Sequence, residues 1–259
     1  MAEFPNQILS IHNLTVGIAG HAIAKCDDLA LEPGKVLVLI GKNGSGKSTF
    51  LRTIGGILRP IEGVICFGEN KQQDVQIEKI AAWLSQEEHL EFSWTVREYV
   101  SLGRIAHNQG LLLTTSDKEV VEQSLAQADA EQLAERFVHE LSGGERQRVR
   151  LARALAQETP IILMDEPTTH LDIEHQIQIL GLIDKLKKQG KSIIVSLHDV
   201  VQAEQIGSQF LMFHDGRAKK TQELDVKMLE QTLGVQFEHF KNGSQNGRIV
   251  PIFYRNTID

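Results

Sequence analysis

A glycine-rich segment in the first fifth of the chain has the residue types and the spacing that bind phosphate groups. It reads Gly41-Lys42-Asn43-Gly44-Ser45-Gly46-Lys47-Ser48, which fits the pattern Gly, four residues, Gly, Lys, then Ser or Thr. Glycines let backbone N–H groups turn inward on phosphate oxygens, and a helix that begins near Lys47 adds its positive end. We expect Lys47 to reach the terminal phosphates and Ser48 to bind Mg²⁺. The predicted nucleotide-binding residues are Gly41, Lys42, Asn43, Gly44, Ser45, Gly46, Lys47, Ser48 and Thr49.

An acidic pair ends an apolar run much later in the chain. Ile161–Met164 has the length and character of a buried strand, and Asp165 and Glu166 follow it directly. Alone, such a pair is more often a helix cap or part of a turn. With a phosphate-binding loop upstream, we expect Asp165 to hold the Mg²⁺ shell and Glu166 to orient or deprotonate an attacking water.

A second glycine motif offers another anion site. The residues are Leu141, Ser142, Gly143, Gly144 and Glu145, and a helix is predicted to begin near Glu145. One nucleotide cannot easily use two distant anion sites on the same chain. In a symmetric dimer, the second site of each chain can instead cover the nucleotide bound by the other.

The elements that must position these residues alternate between strands and helices. The run Val36–Ile40 is apolar on both faces, which predicts a central, parallel strand that leads into the glycine-rich loop. From about Thr95 to Gln157 the apolar spacing becomes helical, with a predicted loop over Asn108–Ser116. This order predicts one α/β core with an inserted helical subdomain. Further strands are predicted at Ile8–Val16, Ala22–Leu31, Gly63–Gly68, Ile80–Leu84, Ser192–Leu197 and Phe210–His214, further helices at Lys47–Gly55, Ile173–Gln189 and Val226–Leu233, and a C-terminal hairpin at Val235–Phe240 and Ile249–Tyr254 with its loop at Asn242–Gly247.

Composition narrows the classes of partner. The chain has 259 residues, with 27 Lys and Arg against 34 Asp and Glu, so its net charge of −7 argues against nucleic acid as a partner. Its apolar runs are far shorter than a bilayer span, and no signal peptide is expected because no basic start leads into an apolar stretch before Leu14. Cys26 and Cys66 have no metal-binding spacing, and we expect them to be small buried residues in a reducing cytosol.

Taken in chain order, these motifs resemble those of the ATP-binding cassette family of transporter ATPases. Gly41–Ser48 resembles its Walker A motif, Leu141–Glu145 its signature motif, and Met164-Asp165-Glu166 the end of its Walker B strand. Gln86 falls where the Q-loop glutamine of the family sits. Thr169-His170-Leu171-Asp172 resembles its D-loop, and His198 its switch histidine, although a lone histidine would otherwise be read as a cap or an exposed residue.

The resemblance implies an α/β P-loop NTPase core of the cassette type, with an N-terminal antiparallel β subdomain and an inserted α-helical subdomain. It implies ATP as the substrate, Glu166, His198, Gln86 and Lys47 as catalytic residues, and Ser48, Gln86 and Asp165 around Mg²⁺. The signature motif, Leu141 to Glu145, and the D-loop Asp172 would act across a homodimer that forms on ATP binding. The expected divisions are 1–94 and 158–217 for the two parts of the core, 95–157 for the helical subdomain, and 218–259 for a C-terminal extension that is either regulatory or an extra hairpin.

One position departs from the family pattern. The family usually stacks adenine on an aromatic residue in the first hairpin, and the corresponding position here is Ile18. No Phe, Tyr or Trp lies between Ile8 and Lys47. We therefore expect weaker adenine stacking, and so looser ATP affinity or looser base selectivity, unless a partner supplies the ring; comparable affinities for ATP and GTP would support this expectation.

A more specific resemblance concerns the importers within this family. Thr95–Arg104 and Leu141–Gln157 resemble segments of importer ATPases for iron–siderophores, haem and cobalamin. This resemblance implies transmembrane permease subunits, a substrate-binding protein reached through them, and a cytoplasmic location at the inner face of the cell membrane. The alternative is a soluble cassette ATPase of an assembly scaffold, such as one for iron–sulfur clusters.

A group of apolar residues has two interpretations. Phe92, Trp94, Tyr99 and Leu102 lie near the junction of the core and the helical subdomain. They either form a cleft for a short helix of a membrane subunit or pack the helical subdomain.

Overall fold

The structure, a computed structural model, describes residues 7–84, 93–107, 113–240 and 248–252. Local sequence explains where its helices begin, because Ser, Thr or Asp caps most of their N-termini through a side-chain oxygen. The helices are α1 (Lys47–Ile54), α2 (Val96–Ser101), α3 (Thr115–Gln127), α4 (Gly143–Ala156), α5 (Ile173–Lys188), α6 (Val200–Ile206) and α7 (Val226–Leu233). The strands are β1 (Leu9–Ile18), β2 (His21–Cys26), β3 (Leu29–Leu31), β4 (Val36–Gly41), β5 (Glu62–Phe67), β6 (Asn70–Lys71), β7 (Ala81–Leu84), β8 (Ile161–Asp165), β9 (Ser192–Ser196), β10 (Gln209–His214), β11 (Arg217–Thr221), β12 (Phe237–Phe240) and β13 (Arg248–Pro251).

One large sheet joins an antiparallel part to a parallel part. Its strand order is β6-β5-β1-β2-β11-β10-β4-β9-β8-β7, and β3 also pairs with β1. Strands β2, β3 and β5 are antiparallel to β1, whereas β10, β4, β9, β8 and β7 are parallel to one another. The predicted α/β fold with an N-terminal antiparallel β region is therefore confirmed.

The central strand β4 is buried on both faces, as its apolar run predicts. Val36, Val38 and Ile40 pack into the apolar cluster that contains the helices of the inserted segment. Leu37 and Leu39 pack into a second cluster with α1 and the antiparallel strands. Because side chains alternate across a strand, one short run anchors both layers and fixes the loop that follows it.

The inserted segment consists of α2, α3, α4 and short 3₁₀ turns. Tyr99 is fully buried in it, and the guanidinium carbon of Arg153 lies 5.0 Å from the centre of its ring. Trp94 and Leu102 pack against the same core. These contacts favour the packing interpretation of the apolar group, of which Phe92 lies outside the described residues.

Two sequence predictions in this region were wrong in detail. The predicted loop over Asn108–Ser116 already contains the start of α3, because Thr114 and Asp117 form a reciprocal capping box at its N-terminus. Residues 108–112 lie outside the described part. Helix α4 begins at Gly143 rather than near Glu145, since Ser142 is its N-cap.

Strand β11 was not predicted, because its alternating sequence Arg-Ala-Lys-Lys-Thr buries only Ala218. It continues from β10 through a turn at Asp215-Gly216 and pairs in parallel with β2, which joins the two parts of the sheet. The C-terminal hairpin is present as β12 and β13, and its predicted loop at Asn242–Gly247 lies outside the described residues. Within the described ranges, no helix is both long enough and apolar enough to span a bilayer.

Candidate nucleotide-binding site

The glycine-rich loop connects the end of β4 to the start of α1. Gly46 has φ +108°, a conformation that side chains strongly disfavour, and it sits at the N-cap of α1. At Gly41 a Cβ would lie 2.6 Å from Ser45 Oγ and 2.8 Å from Phe213 Cβ. The loop can therefore close tightly on itself only because these two positions are glycine.

Lys47 lies inside the loop rather than in solvent. Its side chain is buried, and its Nζ donates to the carbonyl oxygens of Gly41, at 2.8 Å, and Lys42, at 3.1 Å. Burial lowers the pKa of Lys47, and the nearby carboxylates of Glu166 and Asp165 partly offset this effect. The loop thus holds an ammonium group at the place where phosphate oxygens can replace the two carbonyls.

Asp165 ends β8 between two hydroxyl groups. Ser48 Oγ donates to Asp165 Oδ1 at 3.0 Å, and Ser196 Oγ donates to the same oxygen at 2.7 Å. Asp165 and Ser196 are paired directly in the register of β8 and β9. The Ser48 hydroxyl and the Asp165 carboxylate are hard oxygen donors placed side by side at the loop, so this donor set fits Mg²⁺.

Glu166 is held in an unusual backbone conformation. Its φ is +50°, a region that costs a residue with a side chain about 1 kcal/mol or more. The Glu166 amide donates to Ser196 Oγ at 2.9 Å, and Thr169 Oγ1 donates to Glu166 Oε2 at 3.3 Å. His198 Nε2 lies 2.5 Å from Glu166 Oε1. These contacts fix the carboxylate at both oxygens.

A cleft of about 440 Å³ opens above these groups. Glu166 and the glycine-rich loop form its polar side, and Ile18 and Ile23 form an apolar wall. Ile18 is 48% exposed. Among the described residues that line the cleft none is aromatic, as the sequence predicts for the base-binding side.

The second glycine motif lies against a different part of the chain. Ser142 Oγ accepts from the Glu145 amide at 3.3 Å, and Glu145 Oε2 accepts from the Ser142 amide at 2.9 Å. Hydrogen bonding of the Glu145 carboxylate, first to the Ser142 amide and then to the Ser142 side chain, lowers the pKa of Glu145. A Cβ on Gly143 would lie 3.8 Å from Leu171 Cδ2, and a Cβ on Gly144 would overlap the ring of His175. No residue of Leu141–Glu145 lines the cleft.

Comparison with known proteins assigns the family. The family model described as ABC transporter matches residues 25–169, which is more than half of the chain and includes both glycine motifs and the acidic pair.

The chain belongs to the ABC transporter family.

Relatives of this ABC ATPase are similar over most of their length. The achromobactin transport ATP-binding protein of Dickeya dadantii is 40% identical over 87% of this chain and 85% of its own. The hemin import ATP-binding protein of Pseudomonas aeruginosa is 37% identical over 81% of this chain and 84% of its own. The iron(3+)-hydroxamate import ATP-binding protein of Bacillus subtilis is 37% identical over 82% of this chain and 81% of its own. Membership of this group makes the chain an ATP-hydrolysing enzyme.

Two solved structures are similar in fold. One is described as an inward-facing metal-chelate type ABC transporter, with 28% identity, a TM-score of 0.85, and coverage of 96% of this chain and 98% of that one. The other is a dimeric bacterial ABC transporter cassette, with 28% identity, a TM-score of 0.73, and coverage of 84% of this chain and 99% of that one. The fold of this ABC ATPase is therefore that of an ATP-binding cassette.

The structure of this ABC ATPase brings the predicted site residues into two groups. Lys47, Ser48, Asp165, Glu166 and His198 meet around the glycine-rich loop. The motif Leu141–Glu145 and the D-loop Asp172 meet at the adjoining ends of α4 and α5. Gln86 lies outside the described residues.

Sequence reasoning missed two residues that organise these groups. Ser196 contacts both Asp165 and Glu166, and its signal is a hydroxyl directly after the apolar run Ile193–Val195, two residues before His198. His175 lies between Gly144 and Asp172, and only the packing of α4 against α5 reveals its position.

Proposed function

We propose that this chain is the ATP-hydrolysing subunit of an importer for metal-chelate type compounds, with iron–siderophores, haem and cobalamin as the substrate class. The observation that carries the proposal is the cleft lined by Lys47, Ser48 and Glu166, where Asp165 is hydrogen-bonded to Ser48 and His198 to Glu166. The substrate class is supported by relatives at 35–40% identity whose names specify achromobactin, hemin and cobalamin.

In this proposal the glycine-rich loop binds the phosphates of ATP. Backbone N–H groups of Gly41–Ser48 and the Lys47 ammonium contact the β- and γ-phosphate oxygens. Ser48 and Asp165 would hold Mg²⁺, with Gln86 as the third group that the family resemblance implies. When bound, the ion neutralises charge on the phosphate oxygens.

Glu166 is the group that activates water. Its Oε1 faces His198 and its Oε2 faces Thr169, so the carboxylate is oriented before substrate arrives. Glu166 accepts a proton as the water oxygen bonds to the γ-phosphorus, and the bond from that phosphorus to the ADP oxygen breaks. Lys47 and His198 stabilise negative charge on the transferred phosphoryl group.

A second copy of the chain completes each site. The motif Leu141–Glu145 does not line the cleft of its own chain, so it is available to another nucleotide. Ser142 and Gly144 of each copy contact the γ-phosphate bound by the partner, and Asp172 lies at the same interface. Hydrolysis then reopens the dimer, and ATP acts as a reversible clamp.

The remaining parts of the proposal concern partners and organisation. The parts of the core are 1–94 and 158–217, the helical subdomain is 95–157, and the extension is 218–259. Gln86 transmits closure to transmembrane permease subunits, which connect the chain to a substrate-binding protein. The chain therefore acts at the cytoplasmic face of the membrane.

The catalytic part is tested with Glu166→Gln. This variant keeps the shape of the side chain but cannot accept the proton, so ATP hydrolysis is abolished, ATP binding is kept, and a closed dimer accumulates on size-exclusion chromatography. Glu119→Gln, an exposed position on α3, is the matched control. Hydrolysis by Glu166→Gln at the wild-type rate would mean that Glu166 is not the base.

The transport part is tested in the native host. Affinity purification of the tagged chain is expected to recover a polytopic membrane protein, and deletion of the gene is expected to abolish uptake of one labelled compound among a ferric siderophore, haem and cobalamin. The Glu166→Gln allele should not restore that uptake. Recovery of only soluble partners with normal uptake of all three would instead favour an assembly scaffold.

The lack of an aromatic ring among the described residues that line the cleft has its own test. Because Ile18 offers no ring, ATP and GTP are expected to bind with similar dissociation constants. Ile18→Tyr should tighten ATP binding about fivefold through stacking. Ile57→Tyr, on an exposed residue outside the cleft, should not change it. A strong preference of the wild type for ATP would contradict this reasoning.

A further inference from the structure

His175 lies at the point where the signature motif meets the D-loop. It is the third residue of α5, and its ring packs against Gly144 at the start of α4. We propose that His175 is a positioning residue that joins the signature motif and the D-loop, so that both approach the partner's nucleotide as one unit. This inference rests on the dimer closure of the proposed function.

The D-loop side of the contact consists of two hydrogen bonds to one oxygen. The His175 amide donates to Asp172 Oδ1 at 2.9 Å, and His175 Nδ1 lies 2.6 Å from the same oxygen. A carboxylate accepts only, so Nδ1 carries the proton and the ring plane is fixed. Asp172 is also the N-cap of α5, which ties the end of the D-loop to the helix.

The signature side of the contact depends on the absence of a side chain. Any Cβ on Gly144 would overlap the His175 ring, so the ring lies directly against the backbone of the first turn of α4. That turn has N–H groups without intrahelical partners, and it is the anion site of the proposed function. A shift of the His175 ring would therefore move the N–H groups that contact the γ-phosphate.

A second bridge fixes the register of the two helices. Arg148 Nη1 donates to Gln178 Oε1 at 2.7 Å, about one turn further along both α4 and α5. Sliding of the two helices past each other would break this hydrogen bond and the packing of His175 on Gly144. His175 is the contact nearest to the proposed interface.

The D-loop is also tied to the helix that follows His198. Gln176 Nε2 donates to the Leu171 carbonyl at 3.0 Å, and Gln202 Nε2 donates to Gln176 Oε1 at 2.9 Å. Gln202 lies on α6, which begins two residues after His198. His175 thus connects the signature motif to a D-loop that is already attached to the switch region of the same chain.

The test separates this role from a purely structural one. His175→Ala should lower the ATPase kcat about tenfold, the effect of losing one hydrogen bond to a charged group, while the dissociation constant of ATP for the monomer stays unchanged. In the Glu166→Gln background it should raise the protein concentration needed for the ATP-induced dimer by a similar factor. His175→Asn keeps a donor at the Nδ1 position and should recover activity to within about threefold, whereas the longer His175→Gln should not.

The control is His12→Ala, which breaks a His12–Asp28 contact of 3.4 Å in the antiparallel region and should leave both readouts unchanged. Wild-type kcat and dimerisation in His175→Ala would overturn the positioning role alone. The role would also be overturned if the Ala, Asn and Gln variants lost kcat and dimerisation equally and these losses followed the fall in melting temperature. Failure of Glu166→Gln to dimerise with His175 intact would overturn dimer closure and this inference with it.

Discussion

Substitution of Ser196 by alanine tests how the site is held together. The Ser196 hydroxyl donates to Asp165 Oδ1 at 2.7 Å and accepts from the Glu166 amide at 2.9 Å. Ser196 is completely buried and Asp165 is 3% exposed, so water cannot replace the hydroxyl without a rearrangement. Ser196→Ala therefore removes two hydrogen bonds with one oxygen atom.

The expected loss in the free energy of unfolding follows from the two groups that lose a hydrogen-bond partner. Asp165 loses a charge-assisted bond but keeps Ser48, and the Glu166 N–H is left without an acceptor. Each loss is worth about 1–3 kcal/mol, so the free energy of unfolding should fall by about 3 kcal/mol. For a chain of this size that corresponds to a melting temperature lower by about 6–12 °C.

Activity should fall as well, because Glu166 is held at φ +50° partly by this hydrogen bond. If about 1.4 kcal/mol of the loss is expressed in the transition state, kcat falls about tenfold. The change should appear in kcat more than in the affinity for ATP, since the loop around Lys47 is untouched.

Ser192→Ala is the matched control on the same strand. Ser192 is equally buried, but its Oγ accepts from the Gly34 amide at 3.0 Å, away from the site. It should lower the melting temperature by about 2–4 °C and leave kcat unchanged. The assays are thermal unfolding and steady-state phosphate release at saturating ATP. Equal melting temperatures and equal kcat values for the two variants would refute the assignment of Ser196 to the site.

Three further predictions concern stability and reactivity. Arg104→Ala leaves the buried Asp117 carboxylate without its 2.9 Å guanidinium partner and should lower the free energy of unfolding in guanidinium chloride by about 3–5 kcal/mol. Ala19→Asn, at φ +50° in the two-residue turn between β1 and β2, should raise the melting temperature by about 2 °C, because asparagine tolerates this conformation. Burial, then Asp27 and Asp28, raise the pKa of Cys26 from 9.0 to about 12. The raised pKa therefore contributes its whole share to the free energy of unfolding below pH 9, and this share is lost as the pH rises from 9 to 12. Because the thiol stays protonated in the folded protein, iodoacetamide should not label native Cys26 at pH 8.5.

Each of these predictions has a control. Arg97→Ala removes the exposed partner of Glu122 and Glu135 and should cost less than about 1 kcal/mol, so an equal loss for Arg104→Ala would contradict the role of burial. An unchanged melting temperature for Ala19→Asn would mean that the turn is not strained. Cys66→Ala isolates Cys26 for labelling, and rapid native labelling at pH 8.5 would show that the thiol is accessible.

Much of the fold could be predicted from local sequence. The run Val36–Ile40 indicates a buried strand because no polar residue interrupts it, and the loop after it follows from glycine spacing. Strand β11 could not be predicted in this way. Its side chains are mostly polar, and it forms because its backbone pairs with β10 and β2.

The start of α3 illustrates a different limit. Thr114 and Ser116 are typical of loops, and the deciding signal is the reciprocal hydrogen bonding between Thr114 and Asp117. The Asp117 carboxylate also accepts a hydrogen bond from the buried Arg104, which lies in the short 3₁₀ turn after α2. The carboxylate that caps α3 is thus also one partner of a buried ion pair, which local sequence does not reveal.

The sequence alone determined which residues we propose for the chemistry. Lys47, Ser48, Asp165 and Glu166 are identified by short patterns, because phosphate and metal binding need fixed residue types at fixed local spacing. Only the tertiary structure decided how these groups are held. Ser196 reaches Asp165 through the register of two strands, and His175 reaches Gly144 through the packing of two helices. Such contacts depend on strand register and on the absence of a side chain at Gly144. Neither of these changes the hydrophobic periodicity of the sequence, so pattern analysis cannot find them.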